Sequence, residues 1–313
     1  MRNKQQKCVK DMRRLIFTLT AMTIMAAAQA QLLYKISGNE LEKPSYIVGT
    51  YHLASANFAM KITGIMEAVN GTEQVYGEIN TEEAEIPMNR NRIQAAMTLP
   101  NNMKITDLLT SDQSAKLNAF MKEVMGADMS NEKVAAKMGR MTPQALTAQF
   151  VSLLYLQKHM GEFDPTNLID GYFQKVARKN NEAVGGLETI DEQIELLYKS
   201  MSIERQVELL MCVIENQVYN TDIVERLLKA YGSQDIKAVQ EVMDMKMGTV
   251  CDSTPDEDEA VIYKRNAAWV EKMPTVMAAK PTLFVVGVAH LPGERGVLAL
   301  LTEKGYTVEA VTE

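Results

Sequence analysis

From residue 31 onward, short apolar runs bounded by glycine lie at the two ends of the chain, and apolar residues at helical spacing fill the middle. Tyr46-Ile47-Val48 runs into Gly49, a helical pattern covers residues 55–69, and Gln74-Val75-Tyr76-Gly77-Glu78-Ile79 follows. The order predicted is strand, helix, strand. Residues 82–102 are polar and methionine-rich, and Leu99-Pro100-Asn101 breaks the helix expected there. Between residues 112 and 178 the apolar positions keep helical spacing, and Thr142-Pro143 supplies a start with proline at the first helical position.

Residues 183–189 (Ala-Val-Gly-Gly-Leu-Glu-Thr) predict a strand ending on an acid, and Thr189-Ile190-Asp191-Glu192 predicts a helix start near Asp191. A long helical hairpin is expected next, with arms over residues 203–228 and 235–247 joined through Tyr231-Gly232-Ser233. The acidic residues 252–259 open a helix that runs to Met273. Thr282-Leu283-Phe284-Val285-Val286-Gly287 is apolar throughout and bounded by Pro281, which predicts a buried parallel strand. A helix over 293–304, capped by Gly305, and a strand over 306–311 close the chain. The fold class is α/β, with a large helical insertion over about 82–180 and the helical hairpin within about 191–248.

The two ends resemble each other. Each reads strand, then Gly-Thr-Tyr-His or Gly-Val-Ala-His, then helix, then strand. A short duplication of this kind places His52 and His290 just past the carboxyl ends of parallel strands, where open α/β sheets bind ligands.

Residues 1–30 differ in kind from the rest. Six basic side chains precede an apolar run over residues 15–28, and Ala28-Gln29-Ala30 ends it. This is the pattern of a secretory signal peptide with an A-x-A cleavage site. The run is short for a membrane span and lacks a basic stop-transfer flank, so cleavage after Ala30 and export to the periplasm or beyond are expected. Met12 opens a more compact leader of its own, and a start there yields the same mature chain. Cys8 lies on the wrong side of the apolar run for a lipidated cysteine and leaves with the leader.

Loss of the leader removes six basic side chains and one acid, taking the formal net charge from -7 to -12. Such an acidic chain lacks the basic surface that nucleic acid or anionic lipid requires, and a nucleic-acid partner is set aside. No later stretch reaches the roughly eighteen apolar residues of a spanning helix. Cys212 and Cys251 remain, an even count in an oxidising compartment, and a single disulfide is expected; two buried thiols are the alternative. Neither has a histidine or basic residue near in sequence to make it a nucleophile.

Among the three histidines, His52 and His290 share the Gly-x-x-His setting, whereas His159, in Gln157-Lys158-His159-Met160, reads as a surface or internally satisfied residue. Glu78 ends the strand beside the one that delivers His52. Two imidazoles and a carboxylate at one sheet edge suit a divalent metal, and a site with open positions activates water. Glu188 is a candidate fourth ligand, general base or simple helix-start carboxylate. Arg265-Asn266 pairs a group that clamps carboxylate or phosphate with an amide that donates to a developing oxyanion. There is no phosphate-binding glycine loop, G-x-S-x-G elbow or H-E-x-x-H helix.

These pieces occur together, and in this order, in the TraB/GumN family, which includes the pheromone-shutdown protein PrgY and the Wnt-inactivating TIKI proteases. The chain resembles that family in YIVGTYHL (46–53), VYGEI (75–79), LIDGYFQKVARKNNEAVGGLETIDEQ (168–193), Arg265-Asn266 and LFVVGVAHLPGERGVLALLTEKG (283–305). The resemblance implies an EreA/ChaN-like fold of tandem α/β repeats with a helical insertion, over residues 31–313. It also implies a metal-dependent peptidase, with manganese or cobalt as the ion. Carried over by motif, His52, Glu78 and His290 are metal-associated, and Glu188, Arg265 and Asn266 support catalysis.

The leading expectation is therefore a secreted divalent-metal hydrolase acting on a peptide or protein. Its rival is a binding module that captures a peptide or haem-like ligand without chemistry. A phosphoesterase or esterase using the same metal-activated water is a third reading.

Overall fold

Six strands form one mixed sheet in a computed structural model that describes residues 31–159 and 167–312. They are β1 (Leu33–Ser37), β2 (Ser45–Thr50), β3 (Gln74–Gly77), β4 (Ala183–Gly186), β5 (Thr282–Gly287) and β6 (Thr307–Ala310), in the order β4-β3-β5-β2-β1-β6. The central four, β4, β3, β5 and β2, run parallel, while β1 is antiparallel to both β2 and β6. The expected α/β class with helical additions is the one observed. The expected signal segment, residues 1–30, lies outside the described residues.

Every residue of β2 is buried, and so is β5 up to Val286. Strands covered on both faces have no use for alternation, which is why Thr282-Leu283-Phe284-Val285-Val286 is apolar nearly throughout. Burying each of its large side chains stabilises the fold by roughly 1.5–3 kcal/mol. The register sets Gly49 beside Val286 and Thr50 beside Gly287, so the two Gly-x-x-His segments leave the sheet together at one edge. β1 adds a strand to those expected. Its five residues are too short a run for a period of two to stand out.

Between β2 and β3, the helix expected over residues 55–69 is two pieces: a 3₁₀ turn, Ala56–Lys61, and helix α1, Ile65–Gly71. Gly64 separates them in the left-handed region at φ +74°, and a Cβ there would lie 2.2 Å from Val311 Cγ1. After β3 come α2 (Thr81–Glu85), α3 (Pro87–Ala96), α4 (Ser111–Met125), α5 (Glu132–Met138) and α6 (Pro143–Lys158). Thr142 caps α6, accepting from Ala145 N, and Pro143 takes the first position as expected. α7 (Ile169–Lys179) leads to β4, and α8 (Ile190–Ile194) starts from a capping box between Thr189 and Glu192.

The expected hairpin is three helices: α9 (Ile203–Glu215), α10 (Gln217–Gly232) and α11 (Ile236–Met243). Asn216, at φ -119° and ψ 42°, breaks the first arm, and the second arm ends at Met243 instead of 247. Helix α12 (Pro255–Asp258) passes through a π turn, Glu259–Tyr263, into α13 (Lys264–Ala279), and α14 (Val297–Glu303) precedes β6. π turns inside helices cluster near functional sites, and this one abuts Arg265.

Two cores result. One surrounds the sheet and takes Ile169 and Phe173 of α7 and Trp269, Val270 and Met273 of α13. The second is helical, with Leu117, Phe120 and Met121 of α4 packing against Leu146 and Phe150 of α6 and Leu210 and Ile214 of α9. Cys212 on α9 is disulfide-bonded to Cys251. Among the described residues, no helix is long and apolar enough to cross a membrane.

Candidate functional site

Four parallel strands deliver four functional side chains to one edge of the sheet, in strand order. Glu188 follows β4, Glu78 follows β3, His290 follows β5 and His52 follows β2. The loops after β3 and β4 are zipped together, Leu187 N donating to Gly77 O and Glu188 N to Glu78 O at 2.7 Å. Helices α13 and α7 bring Arg265, Asn266, Trp269 and Asp170 over this edge.

Arg265 is the centre of the arrangement. Its Nε donates to Glu188 Oε1 at 2.7 Å, its Nη2 donates to Glu78 Oε2 at 2.6 Å and Glu188 Oε2 at 3.0 Å, and its Nη1 donates to His290 Nε2 at 3.0 Å. A planar fork with five fixed donors can serve two carboxylates and an imidazole at once, which lysine cannot. Trp269 closes one side: its Nε1 donates to Glu188 Oε1 at 2.9 Å, and its ring centroid lies 4.4 Å from that of His290. Gln193 Nε2 donates to Glu188 Oε2 at 3.1 Å.

The protonation of His290 follows from its neighbours. Asn266 Nδ2 donates to Arg295 O at 2.8 Å, so its Oδ1 faces His290 Nδ1 at 2.7 Å and accepts the proton carried there. Arg265 can only donate, so Nε2 carries the lone pair. Burial pushes the imidazolium form of His290 down to about 4, and the nearby Arg265 charge adds to this. Glu78 behaves oppositely. Burial raises its carboxyl, but the Arg265 charge and the Gly287 amide, 2.8 Å from Oε1, outweigh it and hold the group below the ordinary carboxylate range.

The glycines of the Gly-x-x-His segments serve close approach. A Cβ on Gly287 would lie 3.2 Å from Glu78 Oε1 and 3.5 Å from His290 Cδ2. One on Gly49 would lie 3.0 Å from Val288 Cα. The 3.2 Å and 3.0 Å spacings are tight contacts, so the chain's own groups occupy the room that glycine leaves.

His52 stands apart from the Arg265 network. Its Nδ1 lies 3.1 Å from Asp170 Oδ2, and its side chain is 75% exposed. Asp170 is anchored from behind by Thr50, whose hydroxyl donates to Oδ1 at 2.6 Å. The hydrogen bond to Asp170 raises the His52 imidazolium to about 9, with the Asp170 and Glu78 charges assisting and the Arg265 charge opposing. Burial pushes Asp170 up, but His52 and Thr50 hold it below the ordinary range. His52 Nε2 has no hydrogen-bond partner among the described residues. The site sets two cationic groups, Arg265 and His52, against three carboxylates, Glu78, Glu188 and Asp170.

Free lone pairs decide which residues fit a divalent ion. His52 Nε2 fits once its proton leaves, because a ligating histidine with its other nitrogen on a carboxylate is a common arrangement at metal sites. Glu78 fits, since a carboxylate has about four acceptor positions and three are used here, by Gly287 N, Arg265 Nη2 and Gln193 Nε2. His290 offers nothing while Arg265 holds Nε2. Among the described residues, no three His, Cys, Asp or Glu side chains form a ready-made ligand group.

Thus His52, Glu78, Glu188, His290, Arg265 and Asn266 all lie at one edge, and Asp170, Trp269, Gln193 and Thr50 join them. The added four fall inside or beside the segments that carry the family resemblance, yet only the fold reveals their partners. His159 lies elsewhere, with Nε2 2.9 Å from Glu225 Oε1 and its ring stacked on Tyr155.

No curated protein and no solved structure matches this chain. The family model described as TraB/PrgY/gumN matches residues 32–310, which takes in every strand of the sheet and every residue of the site. The chain belongs to the TraB/PrgY/gumN family.

Proposed function

We propose that this edge is the catalytic cleft of an exported hydrolase that cuts a peptide or protein, with a divalent metal, manganese or cobalt, as cofactor. The observation that carries the reading is the His52–Asp170 pair: an exposed imidazole, oriented by an anchored carboxylate and otherwise unengaged, beside a cluster of charges held rigidly by Arg265. His52 and Glu78 would hold the ion, and His290 flanks it. When bound, the ion supplies an activated water at neutral pH.

The chain's own groups do the rest. Asp170 holds the His52 ring in one orientation and one tautomer, leaving Nε2 for ion or substrate. Glu78 is kept ionised by Arg265, which suits it to ligate a cation. Glu188 and Trp269 hold Arg265 in place, and Asn266 fixes His290 as a neutral acceptor. The leader sequence and the Cys212–Cys251 disulfide support export.

A second reading has its own observation. With its pKa raised to about 9, His52 carries a charge at neutral pH in the absence of metal and offers an N–H to an anion. A binding module would use it to seize a carboxylate of a peptide or haem-like ligand and perform no chemistry. Incubating the protein with a mixed peptide library, with manganese or cobalt present, separates the two. New fragments in the mass spectrum support hydrolysis, and peptides retained intact on the protein support binding alone.

A further inference from the structure

Helix α11 ends at Met243, and the chain from there to Cys251 is a pinned turn. The Asp252 carboxylate accepts from Met247 N and Gly248 N, each at 2.7 Å, and from Thr249 N at 3.2 Å. Cys251 ties the other end to Cys212 on α9. Within this turn the sequence reads Met243-Asp244-Met245-Lys246-Met247, a methionine at every second position. All three methionines line one cavity of about 310 Å³, which the disulfide also borders. None of the histidine–carboxylate residues described above contributes to it.

These methionines are not core filling. Met243 is 37% exposed and Met245 40%, whereas Met211 and Met273 in the two cores are 6% and 0%. The other sulfur and charged groups at the cavity are already committed, while Gln144 Oε1 at its wall is without a hydrogen-bond partner among the described residues. The cysteines are oxidised, Asp252 is spent on backbone amides, and Lys246 is held by Ser253 at 2.7 Å and Asp258 at 3.7 Å. What the cavity offers a soft ligand is a group of neutral thioether sulfurs on a segment pinned at both ends; the Gln144 amide oxygen is a hard donor. Soft, uncharged sulfur donors select copper(I) and its analogues over manganese, zinc or calcium.

We infer that Met243, Met245 and Met247 form a binding site for a soft monovalent cation, copper(I), separate from the histidine–carboxylate cleft. The site needs no thiolate, so it operates in the compartment where the disulfide persists.

The test uses silver(I), a redox-inert probe, on residues 31–313 with the disulfide intact and no free thiol detectable. Calorimetry is expected to give one silver per chain. The Met243→Leu/Met245→Leu/Met247→Leu variant, which keeps apolar volume, should weaken binding by about tenfold or more, at least what loss of a supporting group costs a metal site. His52→Ala should bind silver as the parent does. Methionine methyl resonances of the unaltered protein provide a second readout that requires no variant, and only three should shift at one equivalent. Equal affinity in the leucine variant, no uptake by the parent, or shifts spread over methionines outside 243–247 would each overturn the assignment.

Discussion

Arg265 donates from Nη1 to Nε2 of His290 at 3.0 Å, and this contact makes the histidine an acceptor. The same guanidinium holds two largely buried carboxylates, so its removal strands Glu78 and Glu188 together without a cation. Breaking a buried ion pair by removing one partner costs about 3–5 kcal/mol. Arg265→Ala should therefore lower unfolding free energy by that order in urea titration, and Arg265→Lys should recover little of it. A change under about 1 kcal/mol for Arg265→Ala would show that the network does not stabilise the fold.

His290 should make the metal-free protein acid-sensitive. Its folded pKa of about 4 lies below the ordinary 6.5, so below 6.5 the unfolded chain takes up the proton more readily than the folded one. The stabilisation is complete above 6.5 and lost as pH falls toward 4. At 1.36 kcal/mol per pKa unit, the loss is of the order of 3 kcal/mol. Urea midpoints between pH 4 and 7 should drop more steeply for the parent than for His290→Asn, and parallel curves would contradict the neutral assignment.

Asp170→Asn removes the carboxylate that raises His52. The sign is opposite to that of His290: the His52–Asp170 contribution is present below 6.5 and fades as pH rises toward 9. In the asparagine variant the His52 titration followed by NMR should fall from about 9 toward the ordinary 6.5. An unchanged titration would mean that another group holds the proton.

Legibility in the sequence followed distance along the chain. β2, β3 and β5 showed as apolar runs, and the two Gly-x-x-His segments were readable as a pair, because strand and histidine are local neighbours. Asp170 was not, although it sits inside a quoted segment: its role depends on Thr50, 120 positions away, and on His52. Trp269 acts on Glu188 in the same manner, from 81 positions away. The break at Asn216 escaped because apolar spacing continues across it, and backbone torsion alone marks it. The role of the glycines shows only in the fold, where the group that approaches Gly287 is the chain's own Glu78.

The disulfide links residues 39 apart. On the chain-entropy view, closing that loop stabilises the fold by roughly 4 kcal/mol. Cys212→Ser/Cys251→Ser should lower the urea midpoint accordingly and bring it level with that of the reduced parent. A midpoint unaffected by reductant would argue that the bond is dispensable.

The central claim is that His52 reaches substrate or its activating ion from the Asp170 pair. The direct measurement is the rate at which the parent and His52→Ala fragment the same peptide library with manganese or cobalt present, alongside thermal melts of both proteins. The account predicts cleavage by the parent and a loss of about 10²–10⁴-fold in His52→Ala at an unchanged melting temperature; a His52→Ala protein that cuts at the parent's rate would contradict it.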